Sequence, residues 1–227
     1  MLTLDDLEVS YRFSPRRRSI GLTVTAEGKL VIAAPPGTSR ASLARALEKH
    51  KAWILKTAAQ RKGAWDRLEP GTAFYRGKPY RLTPLTGPQD AVKLAAEEIK
   101  VTLRRKPADL WPLLQAWYIQ EAQGLVQTRV HHFAARMGLS PGPVQMRDWK
   151  RRWGECHPKG ELRFNWRLIM LPPEILDYVV VHELTHLRVP AHPPEFWRQV
   201  GLVLPDYAAR RRYLNRYGAP FLVWRVE

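Results

Sequence analysis

The chain has 227 residues, with 37 Lys and Arg against 21 Asp and Glu and a formal net charge of +16. Hydrophobic residues make up 45% of it, enough to bury a core and too many for a disordered chain. No run of roughly 18 apolar residues is present to span a bilayer, and the single cysteine, Cys156, excludes an internal disulfide framework.

In the first third, Ile20, Leu22 and Val24 alternate with small or polar residues. Ala26-Glu27-Gly28-Lys29 supplies a turn and Leu30-Val31-Ile32 resumes the strand. Pro35-Pro36-Gly37 ends it, and Thr38 or Ser39 caps a helix running toward Arg61, with Leu43, Leu47, Trp53 and Ile54 at roughly helical spacing. Gly63 to Gly87, rich in Gly and Pro, reads as a small β region. Residues 91–103 fit either a helix or strands.

After Lys106-Pro107-Ala108, Asp109 is placed to cap a long helix. Leu114, Tyr118, Leu125, Val126, Val130 and Phe133 form its apolar stripe, Pro112 fits its first turn, and Gly138 ends it. Val144 to Trp149 reads as a strand, Gly154 to Gly160 as a loop, and Leu162, Phe164 and Trp166 as a returning strand. Leu171-Pro172-Pro173 starts a further helix, which Pro190 to Pro194 breaks. Short helices follow near Phe196 to Leu202 and Asp206 to Tyr217. The expected class is α+β, with a β-rich N-terminal region over 1–104 and a second domain over 105–227.

That helix carries His182-Glu183-Leu184-Thr185-His186. Histidines four residues apart share one helix face and can reach one ion. Glu183 points about 100° away, where it can meet a water on the metal rather than the metal itself. Zn²⁺ with a neighbouring carboxylate is the constellation of a hydrolase that activates water. The helix is apolar nearly all round, so it should be buried, and two histidines and a glutamate there would be costly to desolvate without a cation. A catalytic zinc usually takes a third protein ligand. His192, after the break at Pro190, is preferred, and Glu195 is the alternative.

These residues bring a family into view. Val179-Val180-Val181-His182-Glu183-Leu184-Thr185-His186-Leu187 with His192-Pro193-Pro194-Glu195-Phe196-Trp197 resembles the YgjP-like (DUF45) metal-dependent hydrolases, which are related to SprT-like zinc metallopeptidases. Arg152-Trp153-Gly154-Glu155-Cys156, Asn165-Trp166-Arg167-Leu168 and Leu204-Pro205-Asp206-Tyr207 resemble further signatures of that family. So do Arg16-Arg17-Arg18-Ser19-Ile20 and Ala34-Pro35-Pro36-Gly37 near the front. The resemblance implies a zincin-like catalytic domain with His182, His186 and His192 on Zn²⁺ and Glu183 as the base. Glu155 stands where the family commonly has Ser.

Around this centre, the strand Glu161–Trp166 offers an edge to an extended peptide, with Asn165 placed to polarise a carbonyl. Tyr207 or Tyr213 could donate to an oxyanion. Arg151 and Arg152, next to Lys150, would face an anionic group if their loop rims the cleft. Cys156 beside His157 is read as structural, since neighbours in a strand point apart.

A zinc metallopeptidase acting on peptide or protein is the first reading. A metal-dependent nucleotide pyrophosphatase or other phosphohydrolase, acting on a phosphorylated small molecule, is the second. A nucleic-acid-binding protein with structural zinc is the third. The positive field would favour a polyanion, yet its basic clusters are dispersed and form no recognised nucleic-acid motif. Met1-Leu2-Thr3-Leu4-Asp5-Asp6 lacks the basic start of a signal peptide. A cytoplasmic protein without membrane association is expected.

Overall fold

A computed structural model describes residues 4, 7–25, 27–65, 70–105 and 109–225. Ala26 of the expected turn and Lys106-Pro107-Ala108 lie outside them. The chain forms two compact units, Met1–Leu68 and Glu69–Glu227.

In the first unit, β2 (Gly21–Val24) and β3 (Leu30–Ala34) form the expected hairpin, and β1 (Val9–Phe13) adds in parallel on the other side of β3. The sheet order is β1-β3-β2, so β2 is an edge. Helix α1 (Arg40–Trp65) begins behind Ser39, whose Oγ accepts from the Ser42 N–H at 3.2 Å. Leu43, Leu47, Ile54 and Ala58 of α1 pack with Val24, Leu30, Ile32 and Ala34. Trp53 leaves this stripe and is 48% exposed, because one residue's step from Ile54 turns it about 100° around the helix.

The second unit starts earlier than the expected boundary at 104/105. Residues 91–103 are strands, β6 (Ala91–Leu94) and β7 (Glu98–Leu103). With β4 (Thr72–Tyr75) and β5 (Lys78–Thr86) they make a sheet of order β4-β5-β7-β6. Its contacts run forward along the chain. The Arg76 and Gly77 N–H groups donate to the carbonyls of Ile169 (2.7 Å) and Met170 (3.0 Å). The Tyr118 hydroxyl donates to the Phe74 carbonyl at 2.8 Å and that of Tyr75 to Glu121 at 2.6 Å.

Helix α2 (Trp111–Met137) starts with Pro112 in its first turn and ends at Gly138, which is left-handed at φ 60°. Leu110, not Asp109, is its N-cap; Asp109 sits one residue before the cap and accepts from the Trp111 N–H at 2.9 Å. Three short strands follow: β8 (Val144–Arg147), β9 (Gly154–Cys156) and β10 (Leu162–Asn165). Gly154–Cys156 is thus a strand where a loop is expected, and Trp166–Met170 coils into a 3-10 turn rather than extending β10.

The order β8-β10-β9 overturns a second expectation. Leu162–Asn165 is the central strand, parallel to β8 and antiparallel to β9, so it has no free edge. The strand beside the metal helix is β9. That helix, α3 (Pro173–Thr185), contains Val179-Val180-Val181, a β-branched run that alone disfavours helix. Burial overrides it: all three valines join Val126, Val130 and Phe133 of α2 and Phe164 of β10 in one core. An Arg129–Asp177 bidentate pair (2.6 and 2.8 Å) joins α2 to α3. Two helices close the unit, α4 (Pro194–Val203) and α5 (Tyr207–Tyr217).

The β4–β5 turn gives a stability test. Gly77 has φ 81°, and a Cβ there would lie 2.8 Å from Pro172 Cα, against the start of α3. Gly71 has φ 73° but open space around it. Left-handed backbone costs an L-residue about 1–2 kcal/mol. Gly71→Ala should lose about that much, and Gly77→Ala clearly more, in thermal unfolding.

Candidate metal centre

Three histidines converge at the end of α3. One ligand nitrogen from each of His182, His186 and His192 lies within 4.8 Å of the others. His182 and His192 face each other Nε2 to Nε2 at 3.1 Å. Two imidazole nitrogens about 2.0–2.1 Å from a tetrahedral Zn²⁺ would stand about 3.4 Å apart.

Each histidine is held by a different device. His182 is on the last turn of α3, partly buried, with its Nδ1 out of reach of any hydrogen-bond partner among the described residues. Burial lowers its pKa to about 3, helped by His186, His192 and the Arg211 charge. His186 is the C-cap, one residue past the helix. Its Nδ1 lies 3.0 Å from the Val189 carbonyl, so Nδ1 carries the hydrogen and Nε2 keeps its lone pair. Burial lowers its pKa too. Neutral imidazoles are what a cation requires.

His192 comes from the segment after Pro190 and is exposed, which leaves the centre open to solvent. Phe196 lies beneath all three rings, its centroid 4.9, 4.6 and 4.6 Å from those of His182, His186 and His192. Trp197 stacks on His192 at 5.6 Å. The other candidate third ligand, Glu195, faces Arg198 (2.7 and 2.8 Å) and Gln199 (2.7 Å) instead. Those donors pull its carboxyl down to about 2.

Glu183 is 6% exposed. Its carboxylate accepts the Cys156 N–H of β9. Burial pushes its pKa up to about 8, Cys156 opposes the shift, Glu155 adds to it and Arg152 opposes it. A cation on the histidines would draw the pKa back down. Space for the carboxylate depends on Gly154, where a Cβ would sit 2.5 Å from Glu183 Oε1. This glycine was not singled out in the sequence. Residues 154–160 read as a loop, and only once Gly154 is seen to lie in a strand does it mark a close approach.

The expected substrate contacts divide. Arg152 is beside the centre, ion-paired with Glu155 and lying over the Trp149 ring at 5.3 Å. Arg151 is exposed on the same loop. Tyr207 reaches the centre through Trp197, whose ring it stacks on at 5.6 Å and 15°. Tyr178 is nearer to His182, at 5.9 Å between centroids. It was legible as the residue four before His182 on the same helix face. Arg211, read only as part of a basic run, lies 4.3 Å over Trp197.

Asn165 does not face a substrate. It is fully buried. Its Nδ2 donates to the carbonyls of Trp149 (2.7 Å) and Arg152 (3.0 Å), and its Oδ1 accepts from the Arg167 N–H (3.1 Å). Its two side-chain donors hold the 149–152 loop and its acceptor caps the 3-10 turn that follows, so it does not polarise a substrate carbonyl as expected.

The family model for the YgjP-like metallopeptidase domain matches residues 18–217. The chain belongs to the YgjP-like family. No curated protein and no solved structure gives a match. Membership makes the chain a metal-dependent hydrolase of the metallopeptidase type, for which the histidine cluster is the fitting site for a divalent cation. Among the described residues, no helix is long and apolar enough to cross a membrane.

Asn165 offers a test of the scaffold around this YgjP-like centre. Asn165→Asp keeps the shape but turns an oxygen toward two carbonyls. It should destabilise at least as much as Asn165→Ala, each by about 1–3 kcal/mol or more, measured by denaturant unfolding.

Proposed function

We propose that the chain is a zinc metallopeptidase in which Glu183 is the general base and His182, His186 and His192 hold the metal. The observation that carries this is the position of Glu183. Its carboxylate is buried between the histidine-bearing helix and the edge strand β9, with a glycine making room for it. A purely structural zinc has no use for such a group, and usually closes with four ligands. Here three histidines group together among the described residues, and one of them is exposed.

When bound, the cation supplies Lewis acidity to a water and to the carbonyl under attack. The chain's own residues do the rest. Glu183 accepts the proton of the attacking water and delivers it to the leaving nitrogen. Its burial fits this exchange, since a carboxylate poised to give the proton back needs a raised affinity for it. The Cys156 N–H is turned toward it and favours its charged form. β9, as the outer strand next to α3, suits an extended peptide lying along it.

A nucleotide substrate is less well served. Arg152, whose charge acts on Glu183, is paired with Glu155, so one phosphate-binding candidate is already neutralised. Arg211 remains, and for that reason the phosphohydrolase reading stays as an arm of the test.

Glu183→Gln should retain the metal, by elemental analysis, and lower turnover about 10²–10⁴-fold. Casein, DNA-bound protein and nucleoside triphosphates form the substrate panel. Turnover surviving in Glu183→Gln removes the assignment of the base, and cleavage confined to the triphosphates replaces peptidase with phosphohydrolase. Gly154→Ala should mimic the loss of turnover with metal retained, because its Cβ displaces the carboxylate. His192→Ala should weaken the metal in chelator competition by more than the roughly 10–100-fold typical of a group that merely supports a ligand.

A further inference from the structure

The first unit carries a feature that the metal chemistry does not use. β2 is an outer strand of the sheet β1-β3-β2. The register Gly21↔Ala33, Thr23↔Val31, closed by the Thr25 N–H to Lys29 carbonyl bond at 2.7 Å, makes Gly21 and Thr23 the hydrogen-bonded partners of β3. Leu22 and Val24 therefore aim their backbone groups away from β3. The Val24 carbonyl accepts from the Arg61 guanidinium of α1. The Leu22 N–H and carbonyl face outward with no such cover among the described residues.

Natural edges are usually guarded by a charge, a proline or a bulge. Gly21-Leu22-Thr23-Val24 contains none of these, and the cations that meet it, Arg17 against Gly21 and Arg61 on Val24, leave Leu22 between them. On its α1-facing side the strand opens onto a cleft of about 410 Å³, lined by Ile20, Leu22, Ala46, His50 and Trp53. Ala46, His50 and Trp53 are spaced four and three apart and share one face of α1. Trp53 is 48% exposed there, an expensive side chain to leave in water. A strand added beyond β2 would lie next to this helix face, with alternate side chains directed into the cleft.

The surroundings are basic. Residues 1–68 hold thirteen Lys and Arg against six Asp and Glu. Arg16, Arg17 and Arg18 precede Ile20, Arg45 precedes Ala46, and Lys49 precedes His50; all five are exposed.

We propose that the edge of β2 and the Trp53 cleft form a docking site for an extended peptide segment of a partner protein, apolar at alternate positions and acidic between them. The strand geometry decides against a polynucleotide, which offers no matching ladder of amide donors and acceptors. The charge decides against a second copy of this chain, whose equivalent edge carries the same positive field. This reading does not depend on the peptidase proposal.

The probe is a fluorescein-labelled octapeptide alternating leucine and glutamate, added to the full chain carrying Glu183→Gln. Three controls accompany it: the same peptide N-methylated at alternate amides, an unlabelled oligothymidylate of equal charge, and sedimentation of the chain alone. We expect saturable binding by anisotropy, about tenfold weaker for the methylated edge, which is about 1.4 kcal/mol. Trp53→Ala and Ala46→Glu, both on the cleft-lining face of α1, should each weaken binding at least about fivefold without altering the unfolding midpoint. Hydrogen exchange at Gly21–Val24 should slow when the peptide is added. Equal binding of the methylated peptide, displacement by oligothymidylate at equal concentration, a stable dimer that hides the edge, or no binding at millimolar peptide would each overturn the proposal.

Discussion

A carboxylate 6% exposed, with a single backbone N–H turned toward it, sits where α3 meets β9. Leaving a charge so far from water costs several kcal/mol unless something compensates. The second unit is arranged around that compensation. β9 brings the Cys156 N–H, Gly154 removes the side chain that would collide, and the histidines stand beside the carboxylate ready to hold a positive charge. The apolar core of α2, α3 and β10 fixes the helix so that none of these groups can drift. Stability and reactivity are coupled here, because the packing that buries Glu183 is also what raises its proton affinity.

The centre was legible in the sequence because its information is local. A spacing of four places two imidazoles on one face whatever the rest of the chain does, and an apolar helix implies that whatever polar groups it carries need a partner. The third histidine was less secure, since Glu195 lay within similar reach. In the structure it is His192 that groups with His182 and His186, and the two candidates differ in their neighbours. Arg198 and Gln199 lie three and four residues beyond Glu195 on α4 and bind its carboxylate, while Pro190 to Pro194 carry His192 back over the end of α3. The i,i+3 and i,i+4 partners of Glu195 were themselves visible in the sequence.

What was not legible depends on pairing between segments distant along the chain. The pattern Leu162, Phe164, Trp166 predicts a strand but cannot say whether it is central or an edge. That is settled by β8 taking one side and β9 the other. Asn165 changes meaning with this placement, from a group offered to substrate to a clamp on the loop behind it. The division into units at Leu68/Glu69 is hidden from the sequence for the same reason. Nothing in residues 70–105 announces that Arg76 and Gly77 bond to Ile169 and Met170, yet those bonds bind the four-stranded sheet to the second unit.

Trp53 shows how a small angular error becomes a functional distinction. Counted with Leu47 and Ile54 it is one more core residue; one position off the stripe it is an aromatic ring in water. The difference is about 100° of rotation, within the tolerance of a loosely read helical pattern and far outside that of packing. An apolar side chain that misses the core is available to whatever else it meets. In this unit the neighbour is the strand edge, whose Leu22 amide and carbonyl lack partners among the described residues just where Trp53 is half exposed. Two deficits in one place, one polar and one apolar, are complementary to a single kind of ligand. A β-strand brings backbone groups and side chains together at the same repeat, so it can satisfy both at once.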